Sequence, residues 1–535
     1  MAGKVEHPST WVRTLDKETE SPVDGIIIGK IPEWLQGSLM RNGSGIFEIG
    51  ETKMDHLFDG LSVINRFAID GQGEGKATYQ NCILKSDTYK DSKAANRLTV
   101  HQFGTFAYPD PCKSLLGKFT ARFEPVTKTE RTDNCSVNLC YFGDKLYALT
   151  ESPFIRQIDS ETLDIIGEKC DISKLVAVNH ATAHPHVNKD GTVYNMGNSV
   201  GSKGPAYNVI EFPAGDGAFC RPKIVATFPS RWKMSHSYYH SFGITENYFV
   251  FIEYPLIANT AKLLTLNLRQ KAFDSSLDWS PTEHTRIILC ERKTGELVET
   301  VYETPPFFSF HIGNCYEKDG YLVMDLSHCK DDTVMSGLSV KSLRENKGDF
   351  TNTYYTRFVL PLAGIEPPVD KNFQKRENLI KLEGSKCISY WISDKIIFCE
   401  PDRLSDLSLE LPRINYSRNG LEYRFAYGIS QTDGYAESEK ILKLDVNSRD
   451  VKIWAKTEFS PSEPVYVSRP GSTDEDDGVI LFSAVHQVDV KKVLLVILNA
   501  ATFEEEAVVE YVASGVVTKD FHGLFSRTGD ALHGY

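Results

Sequence analysis

The stretch DGYLVMDL, residues 319–326, contains the pattern that decides the fold class. An acidic residue and a glycine form a tight turn, and a short, mainly apolar run follows. Asp-Gly is a favoured turn between two antiparallel strands. This stretch therefore predicts a β-hairpin.

The same arrangement, with Gly, Lys or Asn after the acidic residue, occurs at seven places in the chain. They are DGLSVINRF from Asp59, DKLYALTE from Asp144, DGTVYNMG from Asp190, ENYFVFIE from Glu246, DGYLVMDL from Asp319, DKIIFCEP from Asp394 and DGVILFSA from Asp477. Helical periodicity is scarce between them, which indicates an all-β protein. Seven similar units predict a seven-bladed β-propeller with one sheet per unit. Because the spacings vary from 46 to 85 residues, an array of β-sandwiches stays open.

Composition narrows the function classes. The chain has 535 residues and a net charge of −13, which argues against a nucleic-acid partner. The eleven cysteines include no CxxC pair, which is typical of a reducing compartment. No apolar run approaches the roughly 18 residues that span a bilayer. We expect a cytoplasmic protein, with peripheral contact to an intracellular membrane as an option.

Two irregular segments mix apolar and basic residues, at 107–125 and 256–273. Basic amphipathic segments can lie on a membrane surface, although packed helices that cap the ring explain them equally well. We predict one propeller domain over residues 1–535, with cap insertions at about 107–130 and 256–280.

Three histidines precede consecutive repeat turns at similar offsets. His184 and His240 lie six residues before Asp190 and Glu246, and His311 lies eight before Asp319. Equivalent positions in successive blades converge on the propeller axis, so these imidazoles can meet there. His522 lies near the C-terminus, where the chain of a closed ring returns to the first blade. Four imidazoles suit Fe(II), Zn(II) or Cu(II).

Three glutamates stand in apolar or proline-flanked settings, where a free carboxylate is costly. They are Glu151 in LYALTESPF, Glu410 in LSLELPRINY and Glu463 in SPSEPVYVSRP. Metal-bound imidazoles usually donate their second N–H to a carboxylate or carbonyl, which makes these residues candidate partners. Glutamates in ordinary salt bridges are the alternative.

Ten ordered motifs resemble the carotenoid cleavage oxygenases, most closely the animal branch with its carotenoid oxygenases and retinoid isomerohydrolase. They are MRNGSGIFEIG (40–50), HLFDGLSVI (56–64), FAYPDPCK (106–113), ATAHPHVNKDGTVYN (181–195), YHSFGITENYFVFIE (239–253), FSFHIGNCYE (308–317), LELPRINY (409–416), PSEPVYVS (461–468), EDDGVILFS (475–483) and FHGLF (521–525). The resemblance runs from about residue 20 to the C-terminus.

The resemblance implies a seven-bladed propeller with a helical cap over an axial Fe(II). By the same resemblance the iron ligands are His184, His240, His311 and His522, and the glutamates that orient ligands are Glu151, Glu410 and Glu463. His184 would be the ligand without a glutamate. Of its two neighbours in NHATAHPH, His186 is interpreted as structural, and His180 has no assigned role.

For function, the resemblance implies a non-haem iron dioxygenase that uses dioxygen to cleave a carotenoid of the β-carotene, zeaxanthin or lutein type. The leading hypothesis is cleavage at the central 15,15′ double bond to give retinal, coupled to isomerisation of one half to the 11-cis form, as in an insect isomerooxygenase. The alternatives are a retinyl-ester isomerohydrolase and cleavage at the 9′,10′ bond. A binder of retinoid or carotenoid without turnover is the non-enzymatic alternative.

Two further residues have predicted roles. The motif PDPCK at 109–113 matches a membrane-associated cap segment of the animal branch, and Cys112 within it is a candidate for acylation or a plain buried thiol. Phe103, just before that segment, is a candidate for the wall of the substrate tunnel.

Overall fold

The structure is a computed structural model that describes residues 9–108, 131–215, 219, 221–345, 353–362, 366–369, 371–431 and 439–528. The predicted hairpin at 319–326 is present: strands Ile312–Lys318 and Tyr321–Cys329 pair across a two-residue turn. Asp319 and Gly320 both have positive φ, at 49° and 82°. That combination belongs to a type I′ turn, whose twist matches the twist of the two strands.

Within the described residues, seven sheets have four or more strands, and we number them in ring order. Sheet 1 contains Thr19–Asp24, Lys76–Ile83, Leu61–Asp70, Gln36–Ile46 and His522–Arg527. Sheet 2 contains Asn138–Phe142, Lys145–Leu149, Phe154–Ile158 and Cys170–Asp171. Sheet 3 contains His180–Ala181, His186–Val187, Val193–Gly201, Gly204–Phe212 and Lys223–Pro229.

The remaining sheets continue the series along the chain. Sheet 4 contains Gly243–Ile244, Tyr248–Glu253, Thr285–Glu291, Val301–Thr304, Ile396–Glu400 and Ile388–Ser393. Sheet 5 contains Ile312–Lys318, Tyr321–Cys329, Thr353–Pro361 and Asp402–Ser408. Sheet 6 contains Glu410–Ile414, Phe425–Ser430, Lys440–Asp445 and Val451–Trp454. Sheet 7 contains Phe459–Pro461, Val465–Ser468, Gly478–His486, Lys492–Asn499, Glu505–Val512 and Ile26–Gly29.

The ring of sheets is closed at both ends of the chain. The C-terminal strand His522–Arg527 pairs with Gln36–Ile46 of sheet 1, and the N-terminal strand Ile26–Gly29 pairs with Glu505–Val512 of sheet 7. Val465–Ser468 of sheet 7 also contacts His522–Arg527. Closure removes the open sheet edges between the first and last units, as in a β-propeller. The predicted all-β propeller is confirmed.

The prediction of one sheet for each repeat turn is wrong for one of the seven turns. DKIIFCEP forms strand Ile396–Glu400, which pairs in parallel with Val301–Thr304 and so extends sheet 4, the sheet that already contains ENYFVFIE. Sheet 6 instead contains none of the predicted turns. The pattern marks a turn followed by a strand, and it carries no information about the sheet that the strand joins.

Short helices and two small sheets surround the ring. The α-helices in the described residues are Asp87–Ala95, Thr260–Leu264, Leu266–Arg269, Thr333–Gly337 and Val340–Arg344. The 3₁₀ turns are Thr10–Val12, Leu57–Asp59, Ile172–Lys174, Phe273–Ser276 and Tyr416–Arg418. The small sheets contain His236–Ser237, Leu256–Ala258 and Leu277–Trp279, and Glu48–Ile49 and Thr52–Lys53.

The cap segment predicted at 256–280 contains two of these helices. The one at 107–130 lies outside the described residues from 109 onward. Among described residues, no helix is both long and apolar enough to cross a membrane.

Candidate metal centre

Four histidines reach the centre of the ring from the innermost strands of four sheets. His184 lies in the gap between His180–Ala181 and His186–Val187, where Pro185 interrupts the strand. His240 and His311 come just before Gly243–Ile244 and Ile312–Lys318. His522 begins the C-terminal strand. Their placement at strand ends frees each side chain from the sheet and directs it to the axis.

The four imidazoles form one compact cluster. One ring nitrogen of each lies within 4.8 Å of those of the others. The Nε2 atoms of His184 and His240 are 2.8 Å apart, and the ring centroids of His184 and His522 are 4.6 Å apart. This geometry brings together the four histidines that the sequence predicts.

Three of the four histidines are held by glutamates. The Nδ1 atoms of His240, His311 and His522 lie 2.5, 2.7 and 2.8 Å from a carboxylate oxygen of Glu151, Glu410 and Glu463, respectively. An ionised carboxylate only accepts hydrogen bonds, so each Nδ1 carries the proton and donates it. Each Nε2 therefore presents a lone pair to the centre of the cluster.

The glutamates are themselves fixed by further hydrogen bonds. Tyr238 donates its hydroxyl to Glu151 Oε2 at 2.8 Å. The Leu411 amide donates to Glu410 Oε2 at 2.6 Å. Glu463 Oε2 accepts from Arg41 Nη1 at 3.1 Å and from the Gly523 amide at 3.2 Å. These contacts restrict each carboxylate to one orientation.

Around the ring, one of these seven residues lies at the end of a strand of each sheet or within three residues of it. In the order of sheets 1 to 7 they are His522, Glu151, His184, His240, His311, Glu410 and Glu463. His184 in sheet 3 has no glutamate within hydrogen-bond distance among the described contacts; its backbone N–H donates to Thr182 Oγ1 at 3.2 Å.

The cluster fits a divalent metal ion. His311 Nε2 is buried and has no hydrogen-bond partner in the part of the chain that the structure describes. The facing Nε2 atoms of His184 and His240 bring two electron-rich atoms together, which a cation between the rings would stabilise. Four nitrogen donors without a thiolate suit Fe(II), Zn(II) or Cu(II) and not a finger-type structural zinc.

Burial keeps two of the imidazoles, His522 and His184, unprotonated and so able to bind a metal at neutral pH. Burial lowers the pKa of His522 to about 4, although Glu463 opposes this shift. Burial, followed by the charges of the neighbouring histidines, lowers the pKa of His184 well below its ordinary value. Both imidazoles are therefore neutral at pH 7.

Glu463, by contrast, stays ionised at neutral pH. Burial raises the pKa of the Glu463 carboxyl. The positive charges of Arg413 and Arg41, together with the hydrogen bond from His522, outweigh burial and bring that pKa to about 2.

The cluster opens into a cavity of about 650 Å³. Its wall is rich in aromatic side chains, namely Trp11, Phe58, Phe103, Tyr238, Tyr239, Phe273, Phe310 and Phe521. The Phe58 ring stacks on His240 with centroids 6.3 Å apart, and Phe310 meets His240 edge to face at 5.1 Å. The cavity thus suits an apolar molecule that lies beside the histidines.

The other predicted residues lie in different places. Phe103 is part of the cavity wall, where it contacts Phe58 and Phe273 with centroids 5.4 and 5.6 Å apart. His186 lies outside the cluster, and its Nε2 donates to the Phe242 carbonyl at 2.8 Å. Cys112 lies outside the described residues.

His180 lies on the cavity wall, away from the four-histidine cluster. Its Nδ1 is buried and has no partner among the described residues. No pattern around His180 in the sequence predicts this position.

Sequence reasoning missed most of the aromatic wall. Phe310 and Phe521 each precede a cluster histidine, and Phe58 lies within the motif HLFDG. The phenylalanine directly before His311 and the one directly before His522 were the available signal. Nothing in the sequence around Trp11 or Phe273 indicates that these residues reach the same cavity.

Comparison with known proteins places this geometry in context. The sequence model described as retinal pigment epithelial membrane protein matches residues 12–527. The chain is 37% identical to the carotenoid isomerooxygenase of Galleria mellonella over 524 residues, which covers 96% of both chains. It is 37% identical to the human beta,beta-carotene 15,15′-dioxygenase, with 95% of this chain and 93% of the relative covered.

A variant of the apocarotenoid oxygenase of Synechocystis has a solved structure that is similar in fold. The TM-score is 0.75 at 21% identity, and the match covers 97% of this chain and 98% of the other. At that identity the likeness supports the fold alone.

Proposed function

Since this chain belongs to the family of retinal pigment epithelial membrane protein and the carotenoid oxygenases, and is a carotenoid-cleaving dioxygenase, we propose that it cleaves its substrate at the central 15,15′ double bond. The products would be retinal molecules, one of them converted to the 11-cis isomer in the same active site. The observation that supports this proposal best is the four-histidine cluster beside an aromatic cavity, in a chain similar along its whole length to an isomerooxygenase.

His184, His240, His311 and His522 would hold the cofactor, which we propose is Fe(II). A ferrous ion supplies the redox chemistry that makes dioxygen reactive towards a C=C bond. The contribution of Glu151, Glu410 and Glu463 is to fix the tautomer and direction of three of the rings, so that their Nε2 lone pairs converge.

The cavity wall would select the bond that reacts. A carotenoid has many similar double bonds, so the protein must place one of them beside the histidines. Phe58 and Phe310 lie against His240 and form a narrow aromatic surface at that position. Phe103 extends the same surface and is our candidate for a residue that sets which bond is presented. The apolar wall also excludes water from the reacting bond.

We further propose that the mouth of the cavity rests on an intracellular membrane. Val200 and Leu264 line the cavity, yet 66% and 55% of their surface is exposed. Met234 and Leu268 are 72% and 50% exposed, and the Thr260 hydroxyl joins the two regions by a hydrogen bond to the Met234 carbonyl. Carotenoids are nearly insoluble in water, so substrate would enter directly from lipid.

Flotation with liposomes tests the membrane proposal. The double variant Leu264→Ser and Leu268→Ser should release most of the protein from vesicles. Ile453→Ser is the matched control, because Ile453 is also 50% exposed but lies in sheet 6. Equal binding by all variants would refute this mouth as the contact surface.

Product analysis tests the reaction. Iron-loaded protein is incubated in air with β-carotene, with zeaxanthin and with retinyl ester, and the products are separated by chain length and isomer. We expect retinal-length aldehydes from the carotenoids, half of them 11-cis. Longer apocarotenals would indicate 9′,10′ cleavage, and retinol from the ester alone would indicate an isomerohydrolase. Binding of carotenoid without any product would indicate a carrier.

A further inference from the structure

One part of the cavity wall carries a polar group whose hydrogen-bonding capacity is unused. Gln431 follows strand Phe425–Ser430 of sheet 6 and lines the cavity, with only 9% of its surface exposed. Its amide oxygen Oε1 is buried and has no hydrogen-bond partner among the residues that the structure describes. Leaving a buried acceptor unpaired costs free energy, so such an atom calls for an explanation.

The neighbouring charged residues do not provide the missing partner. Glu439 accepts hydrogen bonds from Lys519 Nζ at 2.5 Å and from Trp11 Nε1 at 2.7 Å, and Ser460 donates to it as well. The amide nitrogen of Gln431 donates to Glu439 Oε1 at 3.3 Å. Lys519 balances the charge of the carboxylate, and the bond from Gln431 fixes which end of its amide faces Glu439. The oxygen end has no partner in the described part of the chain.

The position of Gln431 relative to the metal centre follows from strand pairing. Ile429 pairs with Glu410, whose carboxylate accepts the Nδ1 proton of His311. Gln431 lies two residues beyond Ile429, about 7 Å further along the strand. A long substrate with one bond beside the histidines would therefore direct one of its ends towards this wall. Trp11, Leu57 and Leu338 line the same cavity and provide apolar contacts for a ring.

We propose that this wall binds a terminal ring of the substrate through a ring hydroxyl that donates a hydrogen bond to Gln431 Oε1. The proposal rests on the proposed function and sharpens it: the preferred substrate class is a carotenoid with hydroxylated rings. A hydrocarbon ring at the same place excludes water from Oε1 and offers no donor in return. A site that loses a hydrogen bond in this way discriminates against the analogue that lacks the hydroxyl.

Binding without turnover tests the proposal. The full-length iron-loaded protein is titrated without oxygen with zeaxanthin, with β-carotene and with zeaxanthin dimethyl ether in the same detergent, and quenching of tryptophan fluorescence reports the dissociation constant Kd. We expect zeaxanthin to bind about tenfold more tightly than β-carotene. The dimethyl ether keeps the oxygen atoms but has no donor, so it should bind like β-carotene. This comparison requires no variant to fold.

Two variants test whether Gln431 causes the difference in Kd between zeaxanthin and β-carotene. Gln431→Leu should bring the Kd ratio of β-carotene to zeaxanthin close to one. Gln102→Leu is the matched control: Gln102 lines the same cavity, but its amide already donates to the Val100 carbonyl at 3.0 Å and accepts from Thr132 Oγ1 at 3.1 Å. That variant should leave the ratio unchanged.

An equal Kd for the three ligands, or an unchanged ratio in Gln431→Leu, would overturn the hydroxyl site. A parallel incubation in air shows whether the carotenoids are cleaved at all. Because the titrations need no oxygen, absence of cleavage would refute the proposed function and leave the binding result to be decided separately.

Discussion

His184 and the three glutamate-held histidines meet at one point, but the protein positions them by different means. His240, His311 and His522 each donate the Nδ1 proton to a buried or half-buried carboxylate. Each of these rings therefore has one defined direction. In the described part of the chain, no glutamate holds the His184 ring, and its backbone N–H donates to the Thr182 hydroxyl. Three donors are therefore preset, that is, fixed in direction by a carboxylate before a metal binds. The fourth is positioned by the interruption of its strand at Pro185 and by the neighbouring rings.

The largest expected effect is the loss of a preset donor. His240→Ala should remove most of the bound iron, because it deletes a nitrogen donor and leaves Glu151 without its imidazole partner. Metal content after gel filtration measures the effect. His236→Ala is the control, since His236 lines the same cavity but is not part of the cluster. Retention of one iron per chain in His240→Ala would contradict the ligand assignment.

The next largest effect is the loss of a carboxylate while the histidine that it holds stays in place. Glu463→Gln should lower metal affinity by about 10- to 100-fold, because the amide no longer fixes the tautomer of His522 as a carboxylate does. Competition with a chelator measures the affinity.

Asp520→Asn is the matched control for Glu463→Gln. Asp520 also binds Arg41, at 2.7 Å from Nε, but among the described contacts it makes no bond to a cluster histidine. It should destabilise the fold and change metal affinity by only a few fold. If both variants lose the same metal affinity, the Arg41 network and not the carboxylate holds His522.

The same contrast shows what the sequence could predict. The repeat turns gave the fold class, and their offsets selected His184, His240 and His311. The pairing of each glutamate with its histidine needed the ring order of the sheets. His522 and Glu463 are 59 residues apart, whereas His240 and Glu151 are 89 apart, and no local pattern relates such distances.

The parts that could not be predicted depend on long-range packing. DKIIFCEP and DGYLVMDL look alike as turns, yet the first only extends sheet 4 through a parallel pair with Val301–Thr304. Gln431 looks like an ordinary polar residue in sequence, and its free oxygen is visible only once Glu439 is placed beside it.

The pH dependence of the free energy of unfolding, about 2 kcal/mol, tests whether His522 is neutral before metal binds. The folded pKa of His522 is about 4, below its ordinary value of 6.5, so the unfolded chain takes up a proton first as the pH falls. The stability that the neutral, buried His522 provides is fully present above pH 6.5 and is lost progressively as the pH falls towards 4. At pH 5 the loss from this residue should be about 2 kcal/mol.

Urea unfolding of the metal-free protein at pH 7 and pH 5 measures this loss. His522→Gln should lose about 2 kcal/mol less than the native chain over that interval. Glu463 does not interfere, because its lowered pKa of about 2 keeps it ionised there, and its contribution is lost only below its ordinary value of 4.5. Equal losses in both proteins would mean that His522 is not buried as a neutral imidazole.

The smallest expected effect concerns the histidine without a glutamate. Thr182→Ala removes the hydroxyl that accepts the His184 N–H and donates to Asn195 Oδ1 at 2.7 Å. Stability should fall by about 1 kcal/mol for the lost buried hydrogen bonds. Metal affinity should change less than threefold, since the hydroxyl contacts the backbone of His184 and leaves its ring free to turn. A loss as large as that of Glu463→Gln would mean that Thr182 presets His184 as firmly as a carboxylate would. The distinction between preset and free donors would then be wrong.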